Sequence, residues 1–197
     1  RSIIFSLALT AALSASAQKA ITKTGIAVSE QPYVSQVWNP DLGNGMYKNP
    51  VINADYSDPD VVCVGDDYYM TASSFNCIPG LPILHSKDLV NWELIGHAVT
   101  KLQPKAVFDR PSHGNGVWAP CISYHNGEFY IYWGDPDYGV FMVKTKDPAG
   151  KWEDPVCVIP GKGMIDTSLL WDEDGRVYLV NGWANSRNRF ASVITVR

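Results

Sequence analysis

Tyr56-Ser57-Asp58-Pro59-Asp60-Val61-Val62-Cys63-Val64-Gly65-Asp66-Asp67-Tyr68-Tyr69-Met70-Thr71-Ala72 is the stretch that decides the fold. It reads as an acidic lead-in, a short apolar strand, a tight polar turn and an aromatic strand. The same pattern returns at Gly163-Met164-Ile165-Asp166-Thr167-Ser168-Leu169, which runs through a turn at Asp172-Glu173-Asp174-Gly175 into Val177–Val180. A middle copy starts at Trp118-Ala119-Pro120, continues through Cys121–Tyr124, turns at His125-Asn126-Gly127 and enters Phe129–Trp133. Asn-Gly between two such runs is a strong hairpin signal, because both positions accept a left-handed backbone. The lead-in and the second strand are separated alike in all three: eleven residues from Asp58 to Tyr69, eleven from Ala119 to Tyr130, twelve from Asp166 to Tyr178.

Later segments extend the repeat. Pro82–His85 and Trp92–Ile95 complete a first four-stranded unit, and Val140–Lys144 and Val156–Ile159 complete a second. The connection Ser86-Lys87-Asp88-Leu89-Val90-Asn91-Trp92 is echoed by Thr145-Lys146-Asp147-Pro148-Ala149-Gly150-Lys151-Trp152. In the third unit, Ser168–Trp171, Val177–Val180 and Phe190–Val196 read as strands. Repeated four-stranded units in an all-β chain predict a β-propeller. The first strands of propeller blades converge on the central axis, so Asp58 and Asp166 are expected in one pocket. The sequence holds two such units and most of a third, whereas propellers have about four to eight blades; the expectation is a propeller cut to two and a half to three blades.

Composition sets the outer limits. The 197 residues are 46% hydrophobic and 18% charged, which predicts a packed core. Sixteen Lys and Arg against twenty Asp and Glu leave a net charge of −4, with no basic stripe to neutralise phosphates, so nucleic acid is not an expected partner. Residues 1–17 are expected to be a signal peptide. Ile3–Leu13 is apolar but too short to span a bilayer, and Ala15-Ser16-Ala17 is a small-x-small cleavage pattern. Gln18 rather than Cys follows, so no lipid anchor is expected. The protein is expected to be exported, periplasmic or extracellular, with no membrane contact after cleavage. Residues 18–45 read as an irregular leader, and 46–197 as the N-terminal part of a catalytic propeller. Export permits disulfides, and Cys63, Cys77, Cys121 and Cys157 allow three pairings; Cys63, Cys121 and Cys157 fall within apolar strand patterns, so free buried thiols are expected at least as readily. No Cys/His cluster of zinc-site spacing exists, so no metal site is expected in these residues. His85 is expected as a hydrogen-bonded core residue, and Trp92 and Trp152 as packing residues.

Three motifs in order resemble glycoside hydrolase family 43: Tyr56-Ser57-Asp58-Pro59-Asp60-Val61, Gly116-Val117-Trp118-Ala119-Pro120 and Ile165-Asp166-Thr167-Ser168-Leu169. Ser74-Phe75, Pro79-Gly80 and the segment from His85 to Trp92 are similar to its β-xylosidase and α-L-arabinofuranosidase branch. The resemblance covers about Tyr47–Arg197 and implies a five-bladed propeller that hydrolyses xylan- or arabinan-derived glycans with inversion. It implies that Asp58 is the general base and that Asp166 orients the general acid and raises its pKa. Trp118 and Phe75 match aromatic residues that line the sugar site. The family's acid is a Glu beside Gly and Pro. Glu30, Glu93, Glu128, Glu153 and Glu173 have no such context, so the acid is expected beyond Arg197 and this stretch alone is expected to be inactive and poorly stable. No cofactor is implied as required; many members hold a central cation, and a structural calcium is the corresponding expectation for the full-length protein. The partner is an oligosaccharide or polysaccharide substrate. An endo-arabinanase, or a sugar-binding propeller without catalysis, is the alternative.

Overall fold

A computed structural model describes residues 35–197. The expected signal peptide, and the leader up to residue 34, lie outside the described residues. From Ser35 to Pro59 the chain is irregular apart from an isolated bridge between Asp41 and Tyr47.

Three antiparallel sheets then follow in chain order. The first is β1 (Asp60–Val64), β2 (Asp67–Thr71), β3 (Gly80–Ser86) and β4 (Glu93–Val99). A single helical turn, α1 (Lys105–Phe108), precedes the second sheet: β5 (Cys121–His125), β6 (Glu128–Asp135), β7 (Gly139–Thr145) and β8 (Val156–Pro160). The third consists of β9 (Met164–Trp171), β10 (Val177–Trp183) and, after a turn of helix α2 (Asn185–Asn188), the two-residue β11 (Thr195–Val196). Within each sheet every strand pairs with its neighbour in sequence. Such pairing needs only hairpins and short links.

Local chemistry explains the turns. Asn126 and Gly127 have φ of 50° and 84°, the two left-handed positions of a tight hairpin between paired His125 and Glu128. The echoed connections fold alike. The Ser86 hydroxyl accepts hydrogen bonds from the Asp88 and Leu89 amides, and Asp88 Oδ1 accepts from Val90 and Asn91. Thr145 Oγ1 accepts from the Asp147 amide, and Asp147 Oδ1 from Ala149. Both connections end in a tryptophan whose indole N–H donates to the carbonyl of a residue within the connection, Leu89 or Pro148.

The core lies between successive sheets. Leu81, Ile83 and Val99 of the first meet Ile131, Trp133 and Val143 of the second, with Trp152 closing one side. A smaller layer of Val140, Met164 and Leu179 joins the second sheet to the third. Glycine makes this second junction unusually close. A Cβ on Gly134 of β6 would lie 2.5 Å from the Met164 carbonyl oxygen and 2.7 Å from the Ile165 Cα, inside van der Waals contact. Val61 and Leu94 on the outer face of the first sheet, and Leu170 and Val196 on that of the third, are exposed.

Several expectations need correction. Phe190–Val196 is not a continuous strand: only Thr195 and Val196 pair, against Asn181 and Val180, and Phe190 instead packs on Trp183. β9 starts at Met164, four residues before the expected Ser168, because Met164 and Ile165 pair with Trp183 and Gly182. All four cysteines are free; of the three expected as buried thiols, Cys63 and Cys157 are exposed and Cys121 is half-buried, and Cys63 occupies the outward phase of β1, where the alternation of strand faces carries it away from the core. His85 is 5% exposed, and its Nε2 lies 2.5 Å from Asp67.

Candidate active site

Asp58 precedes β1 and Asp166 lies within β9, yet both line one cleft of about 290 Å3 with Pro59, Asp60, Ala119, Pro120, Cys121, Thr167 and Ser168. The starts of the first strands of all three sheets thus meet at one place. Both aspartates have left-handed backbone, φ 50° for Asp58 and 53° for Asp166. Asp tolerates this conformation better than most residues, and such outliers concentrate at functional sites.

For Asp166 the cause is visible in the sheet register. Ser168 pairs with Val180 and Ile165 with Gly182, so two residues of β9, Asp166 and Thr167, face one of β10, Asn181. This bulge turns Asp166 out of the strand's alternation. Gly182 lies close by: a Cβ there would sit 3.6 Å from Asp166 Oδ2, an ordinary van der Waals contact. Asp58 is held differently. The Ser73 hydroxyl donates to its Oδ2 at 2.6 Å, and the Ser73 amide donates to the Ser57 carbonyl at 3.0 Å. Asp60, one step into β1, accepts from the Ile122 amide at 2.8 Å and so ties the first sheet to the second below the cleft.

The electrostatics distinguish the acidic groups. The Asp166 carboxyl is pushed above its ordinary value by partial desolvation among the strands, and further by the negative charge of Asp58. It remains open to solvent at the cleft. Burial, with the Asp60 charge adding to it, pushes the Cys121 thiol to about 11. It therefore stays protonated at neutral pH and is no nucleophile.

Trp118 and Phe75 do not line this cleft; they stand beside it. Phe75 and Val117 exchange both backbone hydrogen bonds, at 2.9 and 3.0 Å, and Gly116 permits the approach because a Cβ there would meet the Phe75 carbonyl oxygen at 2.4 Å. Phe75 is 36% exposed. The Trp118 amide donates to the Gly134 carbonyl and its indole N–H to the Gly114 carbonyl at 2.8 Å. The Arg187 guanidinium lies 5.6 Å from the indole centroid.

None of the described glutamates lines the cleft. Glu93 borders a separate cavity, Glu128 accepts from Tyr130 and pairs with Lys144 at 3.4 Å, Glu153 faces the same lysine at 3.9 Å, and Glu173 is exposed in a turn. That separate cavity is larger, about 370 Å3, and lies against the outer side of the first sheet between Trp38 and Trp92. It holds none of Asp58, Asp166, Trp118 and Phe75, so volume does not identify the site.

Sequence reasoning missed Ser73, Asp60, Arg187 and Asp135. Asp135, at the end of β6, is 2% exposed, and burial raises its carboxyl to about 6. Its proton is therefore held more tightly in the folded chain than in the unfolded one. The group's contribution to stability is complete below about pH 4 and is lost as pH rises through about 6. At pH 8 the buried charge costs on the order of 1–3 kcal/mol. Asp135→Asn keeps an acceptor for the Asp137 amide, now 2.9 Å from Asp135 Oδ1. It is expected to raise the melting temperature by roughly 2–8 °C at pH 8 and to leave it unchanged at pH 4, as measured by thermal denaturation.

The model of the Glycosyl hydrolases family 43 matches residues 47–197. The chain belongs to this family. A beta-xylosidase of Formosa agariphila is 38% identical over 159 residues, which cover 78% of this chain and 27% of that protein. A non-reducing end alpha-L-arabinofuranosidase of Bacteroides ovatus is 40% identical over 147 residues, 73% of this chain and 27% of the relative. Among solved structures, a xylan beta-1,4-xylosidase from Bacillus halodurans superposes with a TM-score of 0.57 at 36% identity, over 68% of this chain and 27% of that one. The family 43 chain described here thus spans about a quarter of the length of these relatives.

Proposed function

We propose that the protein carrying this chain is an inverting glycoside hydrolase that removes terminal xylose or arabinofuranose from xylan- or arabinan-derived glycans. The observation that carries the proposal is the shared cleft of Asp58 and Asp166, reached from two strand starts far apart in sequence. Asp58 is the general base. Inversion needs a carboxylate that takes a proton from water on the face of the sugar opposite the leaving group, with roughly 6.5–9.5 Å between it and the acid to admit that water. The Ser73 hydroxyl, by donating to Asp58, fixes one oxygen and leaves the other for water.

Asp166 acts through its charge. A second carboxylate beside the acid disfavours ionisation of that acid and keeps it protonated for the leaving group. The acid is a glutamate from outside residues 35–197, since no glutamate among them lines the cleft. The complete domain is a five-bladed propeller to which the three sheets contribute the first blades. The exposed apolar residues on the outer faces of the first and third sheets support this reading, since further blades would cover them. Residues 1–17 direct export.

The lack of a cleft glutamate among the described residues also favours a second reading, a propeller that binds sugar without cleaving it. Assays of the full-length protein on an aryl β-xyloside and an aryl α-L-arabinofuranoside, with the anomer of the first product followed by NMR, separate the two. Hydrolysis with inversion is expected; binding without turnover would establish the second reading, and retention would remove Asp58 from the role of base. Residues 35–197 alone are expected to be inactive in the same assays.

A further inference from the structure

We infer that Arg187 is a positioning residue that fixes the Trp118 indole relative to the Asp58–Asp166 cleft and thereby sets how tightly substrate is held. The inference rests on the proposed function. Arg187 lies in α2, yet its guanidinium joins two distant segments. Its Nε and Nη2 donate to the two carboxylate oxygens of Asp137, at 2.9 and 3.2 Å, a bidentate pairing with the turn between β6 and β7. Nη2 also donates to Asn115 Oδ1 at 3.0 Å, in the loop that leads into Trp118. The same group stands 5.6 Å from the Trp118 ring, where a cation is attracted to the aromatic face.

The arrangement is restrained rather than incidental. The Arg187 side chain is 21% exposed and that of Asp137 27%, so both ends of the pair are largely withdrawn from water. The indole edge is held by its N–H bond to Gly114, and the Arg187 guanidinium stands over the face of the ring. A lysine could supply the charge but not the planar fork that engages Asp137 and Asn115 together.

The segment that carries Arg187 is also tied to the segment that carries Asp166. The Ala184 amide donates to the Gly163 carbonyl at 2.8 Å, and Asn188 Nδ2 to the Lys162 carbonyl at 2.9 Å. The Gly163 amide in turn donates to the Pro136 carbonyl at 2.7 Å, beside Asp137. Three residues after Gly163 comes Asp166. The aromatic group and the carboxylate thus share one hydrogen-bonded frame, with Arg187 as the cross-member. A residue acting this way leaves Asp58 and Asp166 in place and alters the aromatic ring that stands beside their cleft.

The test is steady-state kinetics on the full-length protein. Arg187→Ala is expected to raise KM about tenfold with kcat within threefold, and Arg187→Lys to raise it about threefold. In a Trp118→Ala background the Arg187→Ala change is expected to add less than twofold, since its effect passes through that ring. Asp137→Asn, which leaves the cation but weakens its anchor, is expected to raise KM about threefold and serves if Arg187→Ala does not fold. A loss confined to kcat, an undiminished effect in the Trp118→Ala background, or an unchanged KM in both Arg187→Ala and Asp137→Asn would overturn the inference alone, provided the parent is active and Asp58→Asn is not. A parent protein without pentosidase activity would overturn the functional reading and this inference with it.

Discussion

Asp58→Asn in the full-length protein is expected to lower kcat by about 10²–10⁴-fold while leaving KM and the melting temperature almost unchanged. The reasoning starts at the backbone. Position 58 has a φ of 50°, which Asn accepts as readily as Asp, so the substitution brings no new strain. The Ser73 hydroxyl still finds an acceptor in the amide oxygen. What disappears is the capacity to take a proton from water. The substitution also removes a negative charge that pushes the Asp166 carboxyl upward, so Asp166 is expected to titrate at lower pH in the variant. Carboxyl-carbon NMR of Asp166 measures this without catalysis. Parent-like hydrolysis of both aryl pentosides by Asp58→Asn would end its assignment as the base.

Asp166→Asn is expected to act on the other limb of the pH profile. With Asp166 ionised, the acid holds its proton to higher pH; without that charge, its pKa falls. The basic limb of the kcat/KM profile is therefore expected to move down by about one unit. At the parent's optimum the loss is expected to be about 10²-fold. The amide is nearly isosteric with the carboxylate it replaces, so the substitution adds no bulk. A pH–rate series over the two variants and the parent measures both limbs, and an unmoved basic limb would show that Asp166 does not tune the acid.

Much of this architecture is legible in the strand and turn pattern. The hairpin at Asn126-Gly127, the paired connections ending in Trp92 and Trp152, and the meeting of Asp58 with Asp166 all follow from local chemistry repeated along the chain. The rest depends on partners that local pattern does not encode. The bulge at Asp166 exists only because β10 supplies one residue against two, so the start of β9 was misplaced. Ser73 reaches Asp58 across 15 residues, Asp60 reaches Ile122 across 62, and Arg187 reaches Asn115 across 72. Trp118 and Phe75 stand beside the cleft, because the Phe75–Val117 bridge, which pattern does not reveal, fixes the loop that precedes Ala119. The exposed cysteines show the same limit: an apolar run does not reveal which of its two faces lies inward.

Gly134 gives the site a particular kind of inheritance. Between β6 and β9 the backbones touch directly, with no side chain as spacer. The apolar layers on either side can drift by a methylene at a time, trading volume among Val140, Met164 and Leu179. Such drift leaves the approach of Ile165 to Gly134, and hence the seat of Asp166, where it was. Position 134 itself has no comparable latitude, since even an alanine must wedge the two strands apart. A lineage descended from this chain can therefore rewrite its interior freely while the spacing of its acidic groups passes on unaltered, set by backbone instead of by packing.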